Sequence, residues 1–597
     1  MWFSWLSQAV IEWIPVVLSL ILIYAPQLST FVSFLVSSKK RTSGFYWILG
    51  SLVGPVWLIP WVCWVWSGWA ILWRLDMIGG KGFPGDWGWA RWGRVWTGWC
   101  FLESVFILYH AVQAFRIQAS RPPHDLPANQ IELLFLRILQ AGMDPLLEME
   151  DGPDTELIHS ENELSEALVD VGETTRRGES LESVKSPRAL RLVRRLDTAD
   201  PRAKAFAERL RTWFFRMPWE SIKKDNIMEW VAWSAFNSSV DQVAMDPTQK
   251  ASLEYAVDLI SRRTGTIFEE GRTNNVEVMR LTLDRVNIYH RPLVLYALTA
   301  VINLGCEAWC RAYGMRRNTI KGIDYMVRIP HDWTPEQGRE DKNREPIVFL
   351  HGLGFGFLQN QIVIGRLVKR YPSHPIMIVV QPHISMNLFN VNHLRPISKD
   401  QFVDSLSSAI EHYRFYDLQA EVSPSTGTKT DEVETVDRGG VVMFSHSKGT
   451  VGHSWLMKDR PELIKRSCFA DPVVFCLWEG DVCFNFVYRE PGNAIELLMS
   501  YFIGSELGIA NTISRNFNWS HNTLFFEDIP HAHDPSRTAF FLGGKDSILD
   551  AQLVKDYLER HGATQCVHFT PSDSHGSAII SGSTLTKILK WLSGDDK

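Results

Sequence analysis

The sequence predicts an α/β fold, a mostly parallel sheet flanked by helices, with a helical membrane region ahead of it. Three observations lead there. Apolar runs of strand length recur through the C-terminal half, and each ends at a turn rich in Gly, Ser or Asp. Helical stretches separate these runs, as the crossovers of a parallel sheet require. At the front, the first 100 residues hold 15 of the 25 tryptophans, set among long charge-free runs.

The strand runs carry the chemistry. Pro346-Ile347-Val348-Phe349-Leu350 reads as a buried strand and ends in His351-Gly352-Leu353-Gly354-Phe355-Gly356. Those glycines let backbone N–H groups approach a substrate oxygen. Val441-Val442-Met443-Phe444 runs into Ser445-His446-Ser447-Lys448-Gly449 and then a helical stretch. A strand, a sharp turn and a helix hold a serine hydroxyl exposed above a parallel sheet, the nucleophile elbow. Its residues are small because the turn brings backbones close together. Ser445 stands where the usual pattern has glycine, and Lys448 is bulky and charged for its place. Further on, Thr538-Ala539-Phe540-Phe541-Leu542 leads to Gly543-Gly544-Lys545-Asp546, and Cys566-Val567-His568-Phe569-Thr570 precedes Asp573-Ser574-His575. A helical stretch at 583–592 closes the chain.

Ser447, Asp546 and His575 thus follow strand ends in the order used by α/β-hydrolases, and the chain resembles that superfamily over about 321–592. The resemblance implies Ser447 as nucleophile, His575 as general base and then acid, and Asp546 as the acid that orients the imidazole. It implies an oxyanion hole from the N–H groups of Leu353 and Lys448. Asp471, in Phe469-Ala470-Asp471-Pro472-Val473, follows the next strand and is the alternative acid, since some lipase-like relatives carry theirs there. His446 can line such a site, and His351 belongs structurally to the oxyanion loop. His531 and His533 look like a metal pair, but with no cysteine or second carboxylate cluster nearby a solvated loop is expected. No Gly-x-Gly-x-x-Gly follows a strand, so no cofactor is expected, and no metal.

Residues 1–117 are expected to be the membrane region, with two or three spanning or re-entrant helices. Residues 13–36 and 45–73 are free of charge, and ~20 apolar residues cross a ~30 Å hydrocarbon core. Kinks are expected at Pro15, Pro26, Pro55 and Pro60. Residues 95–115 are a weaker third candidate carrying Glu103 and His110, seven apart on one helical face and able to pair in a bundle interior. Tryptophan suits the membrane interface. The basic clusters at 39–41 and 74–94 fall on opposite faces of three spans and leave the orientation open.

Residues 118–185 are expected to be an acidic, partly disordered linker, and 186–320 a helical region packing on the hydrolase or on the membrane. Its apolar run at 292–305 is short and reads as a core helix. The α/β unit is placed at 321–597, with a polar insertion at 422–438 and a lid-like insertion near 480–535 whose segment 494–503 has a greasy face. A net charge of −6 and a pI near 6.3 argue against nucleic acid as a partner. Eight cysteines without Cys-x-x-Cys or disulfide spacing favour a cytosolic catalytic face on an intracellular membrane. The partners expected are therefore membrane lipids and a hydrophobic acyl-ester substrate, with oligomeric state left open. The alternative is a catalytically silent protein of this fold that binds or regulates at a membrane.

Overall fold

The computed structural model describes Val32 and residues 40–74, 90–119, 128–141, 195–418, 437–580 and 582–594. Of the expected features, the run at 13–36 (Val32 aside), the acidic stretch at 148–185 and residues 422–436 lie outside the described residues.

The helix Ser43–Ile48 continues through a π-helical turn, Leu49–Val53, into α1 (Gly54–Arg74). The π turn falls just before Pro55, which has no N–H to return to the preceding turn. Pro60 is accommodated within α1. Next, α2 (Ala90–Ile117) packs along α1 through small residues. Ser67 and Ser104 hydroxyls lie 3.1 Å apart there, and Trp66 Nε1 donates to Thr97 Oγ1. Glu103 and His110 both meet one residue outside the pair. The Glu103 carboxylate stands 3.3 Å from His290 Nε2, and the His110 ring centre is 4.8 Å from that of His290.

Part of the expected linker is a helix, α3 (Ala128–Ala141). Leu134, Phe135, Ile138 and Leu139 form an apolar stripe, and Phe135 and Leu139 pack with α4 (Lys224–Phe236) and α5 (Pro247–Thr264). The acidic composition starts only after that stripe. A second difference concerns α6 (Leu293–Ala312), expected as a core helix. Only a minority of it is buried, with Val294, Leu298, Val301 and Leu304 exposed on one face. The sequence hides this because the last turns of α6 continue the helix through Cys306 to Arg311, past the apolar run.

Eight strands form one sheet: β1 (Arg316–Ile320), β2 (Ile323–Arg328), β3 (Ile347–Leu350), β4 (Ile376–Val380), β5 (Val441–His446), β6 (Ile464–Ala470), β7 (Thr538–Gly543) and β8 (Val567–Thr570). Their order is β1-β2-β4-β3-β5-β6-β7-β8, with β2 antiparallel to both neighbours and β4 through β8 parallel. The edge strand β1 lies ahead of the expected boundary at 321. It joins β2 through Lys321-Gly322, both left-handed at φ 45° and 83°, the conformation a two-residue hairpin turn needs.

Alternate residues of each central strand enter two apolar layers. Val348, Met443 and Phe469 pack under α8 (Lys399–His412) and α9 (Gly449–Asp459). Phe349, Phe444 and Phe541 face α7 (Phe357–Arg370) and the C-terminal helix. Burial on both faces is why these strands read as unbroken apolar runs, and each such side chain contributes roughly 1.5–3 kcal/mol.

Between β6 and β7 the chain rises over the carboxyl ends of the strands. It passes through a π turn (Phe484–Tyr488), a helix (Ala494–Leu498), a second π turn (Met499–Gly504) and α10 (Leu507–Arg515). Leu497 and Tyr501 pack against Phe45, Leu49 and Val53 of the N-terminal helix. Thr42 N–H donates to Gly492 O, and buried Arg515 donates to the carbonyls of Ile117, Thr282 and Asp284. The insertion is therefore held from outside by the apolar N-terminal helices. Following β7 and β8 are α11 (Ala551–Arg560) and α12 (Gly582–Leu592).

Candidate active site

Ser447 sits between β5 and α9 with φ 51°, a left-handed conformation that only the turn around it sustains. Its N–H donates to Ala470 O on β6. The turn is crowded: a Cβ on Gly449 would run into the Leu350 carbonyl, and one on Gly352 would lie 2.9 Å from Ser447 Cβ. Serine at 445 fits because its side chain is given a role. Ser445 Oγ and His453 Nδ1 lie 2.9 Å apart, and His453 Nε2 is 3.1 Å from Ser467 Oγ. That imidazole is fully buried against Phe469, and burial pushes it down to about 3, so it stays neutral.

The structure brings Ser447, His575 and Asp546 together. His575 Nε2 is 2.8 Å from Ser447 Oγ, and His575 Nδ1 is 2.6 Å from Asp546 Oδ2. The other Asp546 oxygen accepts N–H bonds from Ile548 and Leu549 at 2.7 and 3.1 Å, which fixes the carboxylate. Burial lowers His575, but the Asp546 carboxylate, its hydrogen bond and the Asp471 charge outweigh that and hold the imidazole above its usual value.

Asp471 occupies a different place. Its Oδ2 accepts the Gly576 N–H at 2.8 Å, anchoring the loop that carries His575, and lies 3.7 Å from His446 Nε2. Asp471 is held below its usual range: burial opposes this, and His446, His575 and the Gly576 N–H overcome it. Asp471, Asp546 and His575 offer ligand atoms within 4.8 Å of one another, the single such group among the described residues. Their hydrogen bonds account for the grouping. His531 and His533 are both exposed in the loop before β7, outside that group. His351 Nδ1 lies 2.8 Å from Gly352 O within its own loop.

Leu353 and Lys448 line, with Ser447, one cavity of about 460 Å³, and neither backbone N–H has an intramolecular acceptor among the described residues. Val487, Met499, Ile503, Phe517 and Trp519 line the cavity from the β6–β7 insertion, and Trp213 and Trp233 from the preceding helical region. These two tryptophans are functional candidates that sequence reasoning missed. Trp213 is fixed by its Nε1–H to Trp478 O and Trp233 by its Nε1–H to Thr282 Oγ1. Only the apolar run around Trp213 hinted at them.

Sheet order, elbow and the position of the three side chains beyond the strand ends define an α/β-hydrolase fold. No protein-family model matches the chain, and no curated protein matches it. Among solved structures, it is similar to the carboxylesterase CesB from Bacillus subtilis, at 7% identity over 50% of this chain and 99% of that one, with a TM-score of 0.30. It is similar to an epoxide hydrolase from Vigna radiata (12% identity, 46% and 96% covered, TM-score 0.28). A third is an α/β hydrolase enzyme from the metagenome of lagoon sediments at Mar Chica, Morocco (14%, 47% and 100%, TM-score 0.25).

Proposed function

We propose that this chain is a membrane-associated serine hydrolase that cleaves hydrophobic acyl esters. The observation that carries the reading is the continuous Ser447–His575–Asp546 hydrogen-bond relay in the wall of an apolar cavity. Ser447 Oγ attacks the ester carbonyl while His575 Nε2 accepts its proton. The N–H groups of Leu353 and Lys448 receive the oxyanion, one such donor being worth about 3 kcal/mol. His575 returns the proton to the leaving alkoxide, and water, activated by the same imidazole, releases the acyl group. Asp546 holds the imidazole tautomer and balances the imidazolium, and Asp471 positions the His575 loop through Gly576.

The proposal is tested with neutral acyl esters of increasing chain length in detergent. Turnover that rises with chain length supports it. A folded preparation that cleaves no ester in the series contradicts it.

The pH dependence follows from the site. His575 works as a base only when neutral, and its protonation is held above the usual histidine value. Activity should therefore fall already as pH drops through the neutral range. Asp471→Asn removes one of the charges that raise it, so the acid limb of kcat/KM should move to lower pH. An unmoved limb would show that the Asp471 charge does not reach His575.

The membrane part rests on three helices long and apolar enough to cross a bilayer, Ser43–Trp73, Gly93–Ile117 and Leu293–Ala312. The first two leave Trp47, Val65 and Phe115 about 70% exposed, and the third leaves Val301 and Leu304 exposed. Large exposed apolar side chains in such number are of the kind that marks a membrane site. The full chain should stay with membranes through alkaline carbonate. Deleting residues 1–116 should give aggregated or unstable protein, because Leu497, Tyr501 and Leu507 lose their cover. Release of the full chain by carbonate would replace spanning with peripheral binding.

A further inference from the structure

The cavity beside Ser447 is apolar on almost every side. Its lining residues include no Asp, Glu or Arg, and Lys448 is the one lysine among them. Lys448 Nζ stands 5.5 Å from the Trp455 ring centre, and among the described residues no carboxylate or carbonyl accepts a hydrogen bond from it. The next lysine on the same helix is treated differently: Lys458 Nζ donates to the carbonyls of His521 and Thr523 at 2.6 and 2.9 Å. Lys448 is partly buried. An ammonium partly withdrawn from water with no counter-charge is disfavoured, and that burial pushes Lys448 down to about 8. An apolar side chain would line this wall without that cost, so the missing counter-charge is to be sought in what enters the cavity.

We propose that Lys448 recognises an anionic group of the substrate, so that the preferred ester carries a phosphate or carboxylate close to its scissile carbonyl. This rests on the serine-hydrolase reading. The closeness follows from the chain itself. The backbone N–H of Lys448 is one of the two oxyanion donors in that reading, so its ammonium lies within one lysine side chain of the carbonyl oxygen. An anion at the far end of a long acyl chain would not reach it. Met499, Ile503, Phe517 and Trp519 are left to hold the acyl chain.

The test compares three esters of one fatty acid: monoacylglycerol, which is neutral, 1-acylglycerol 3-phosphate, and O-acylglycolate. The parent should favour one of the anionic esters in kcat/KM by about tenfold or more, the scale of one charge-assisted hydrogen bond, and which one it favours separates phosphate from carboxylate. In Lys448→Met the anionic-to-neutral ratio should collapse toward one, mainly through KM, while Lys448→Arg should retain a preference. In the parent the preference should also fade as pH rises through about 8 and the ammonium loses its proton. That arm needs no variant to fold. Equal rates for all three esters, a ratio that survives in Lys448→Met, or a preference that ignores pH would overturn the proposal. So would an equal loss on neutral and anionic esters in Lys448→Met, because the ammonium would then act on the oxyanion. Fluorophosphonate labelling of the parent separates the two readings. A parent that labels and cleaves the neutral ester without anionic preference refutes only this inference, whereas one that neither labels nor cleaves refutes the hydrolase reading beneath it.

Discussion

His575→Ala should lower ester turnover by on the order of 10⁶-fold, because removing one unit of a cooperative triad removes nearly all of its effect. The structure explains why the loss should be so complete. Among the described residues His575 Nε2 is the one base within hydrogen-bond reach of Ser447 Oγ, at 2.8 Å. His446, although it lines the same cavity, has its ring centre 5.6 Å from that of His575 and makes no hydrogen bond to the serine. Ser447→Ala should match His575→Ala within experimental scatter, and combining the two should add little. Independent, multiplying losses would mean that the pair does not act as a unit. Ester turnover by the two single variants and the double variant is the measurement.

The second large effect separates the two acids. Asp546→Asn should cost about 10⁴-fold in kcat, the loss seen when a triad acid becomes its amide and the imidazole takes the wrong tautomer. Asp471→Asn should cost far less, because its contact is with the Gly576 N–H and not with the imidazole. A carboxamide oxygen can accept that N–H too. Circular dichroism of both variants distinguishes lost chemistry from lost folding. If folded Asp471→Asn is inactive while Asp546→Asn turns over normally, the roles are reversed.

These two predictions rest on residues that could be read without coordinates. Ser447 and Asp546 each follow a strand that is buried on both faces, and double burial leaves an unbroken apolar run in the sequence. His575 follows the half-buried edge strand β8 and was legible from its place after the last strand-length run. Gly352 and Gly449 were legible for the same local reason: a turn too tight for a Cβ admits few residues. The parts that were not legible depend on packing between distant segments. β1, Arg-Arg-Asn-Thr-Ile, is a mostly exposed edge strand and carries no apolar alternation. The helix Ala128–Ala141 was hidden by the acidic stretch that follows it. Glu103 and His110 could be placed on one helical face, but their meeting point, His290, belongs to a segment far along the chain.

Two departures from the usual elbow pattern acquire physical meanings that spacing alone could not supply. Ser445 would read as a defect, yet its hydroxyl joins a buried chain through His453 to Ser467, linking β5, α9 and β6 beneath the nucleophile. Lys448 would read as an obstruction. Ser447 nevertheless keeps its left-handed turn at φ 51°, and the lysine lies along the cavity wall with its ammonium toward Trp455. The cavity walls could not be assigned either, since Trp213 and Trp233 reach the site only when the helical region folds against the β6–β7 insertion.

The central claim is that Ser447 is an activated nucleophile, and fluorophosphonate labelling of the full chain in detergent tests it most directly. Intact mass should rise by one adduct, peptide mapping should place that adduct on Ser447, and Ser447→Ala should take up none. A folded chain that gains no adduct, or gains one that persists in Ser447→Ala, would contradict the account.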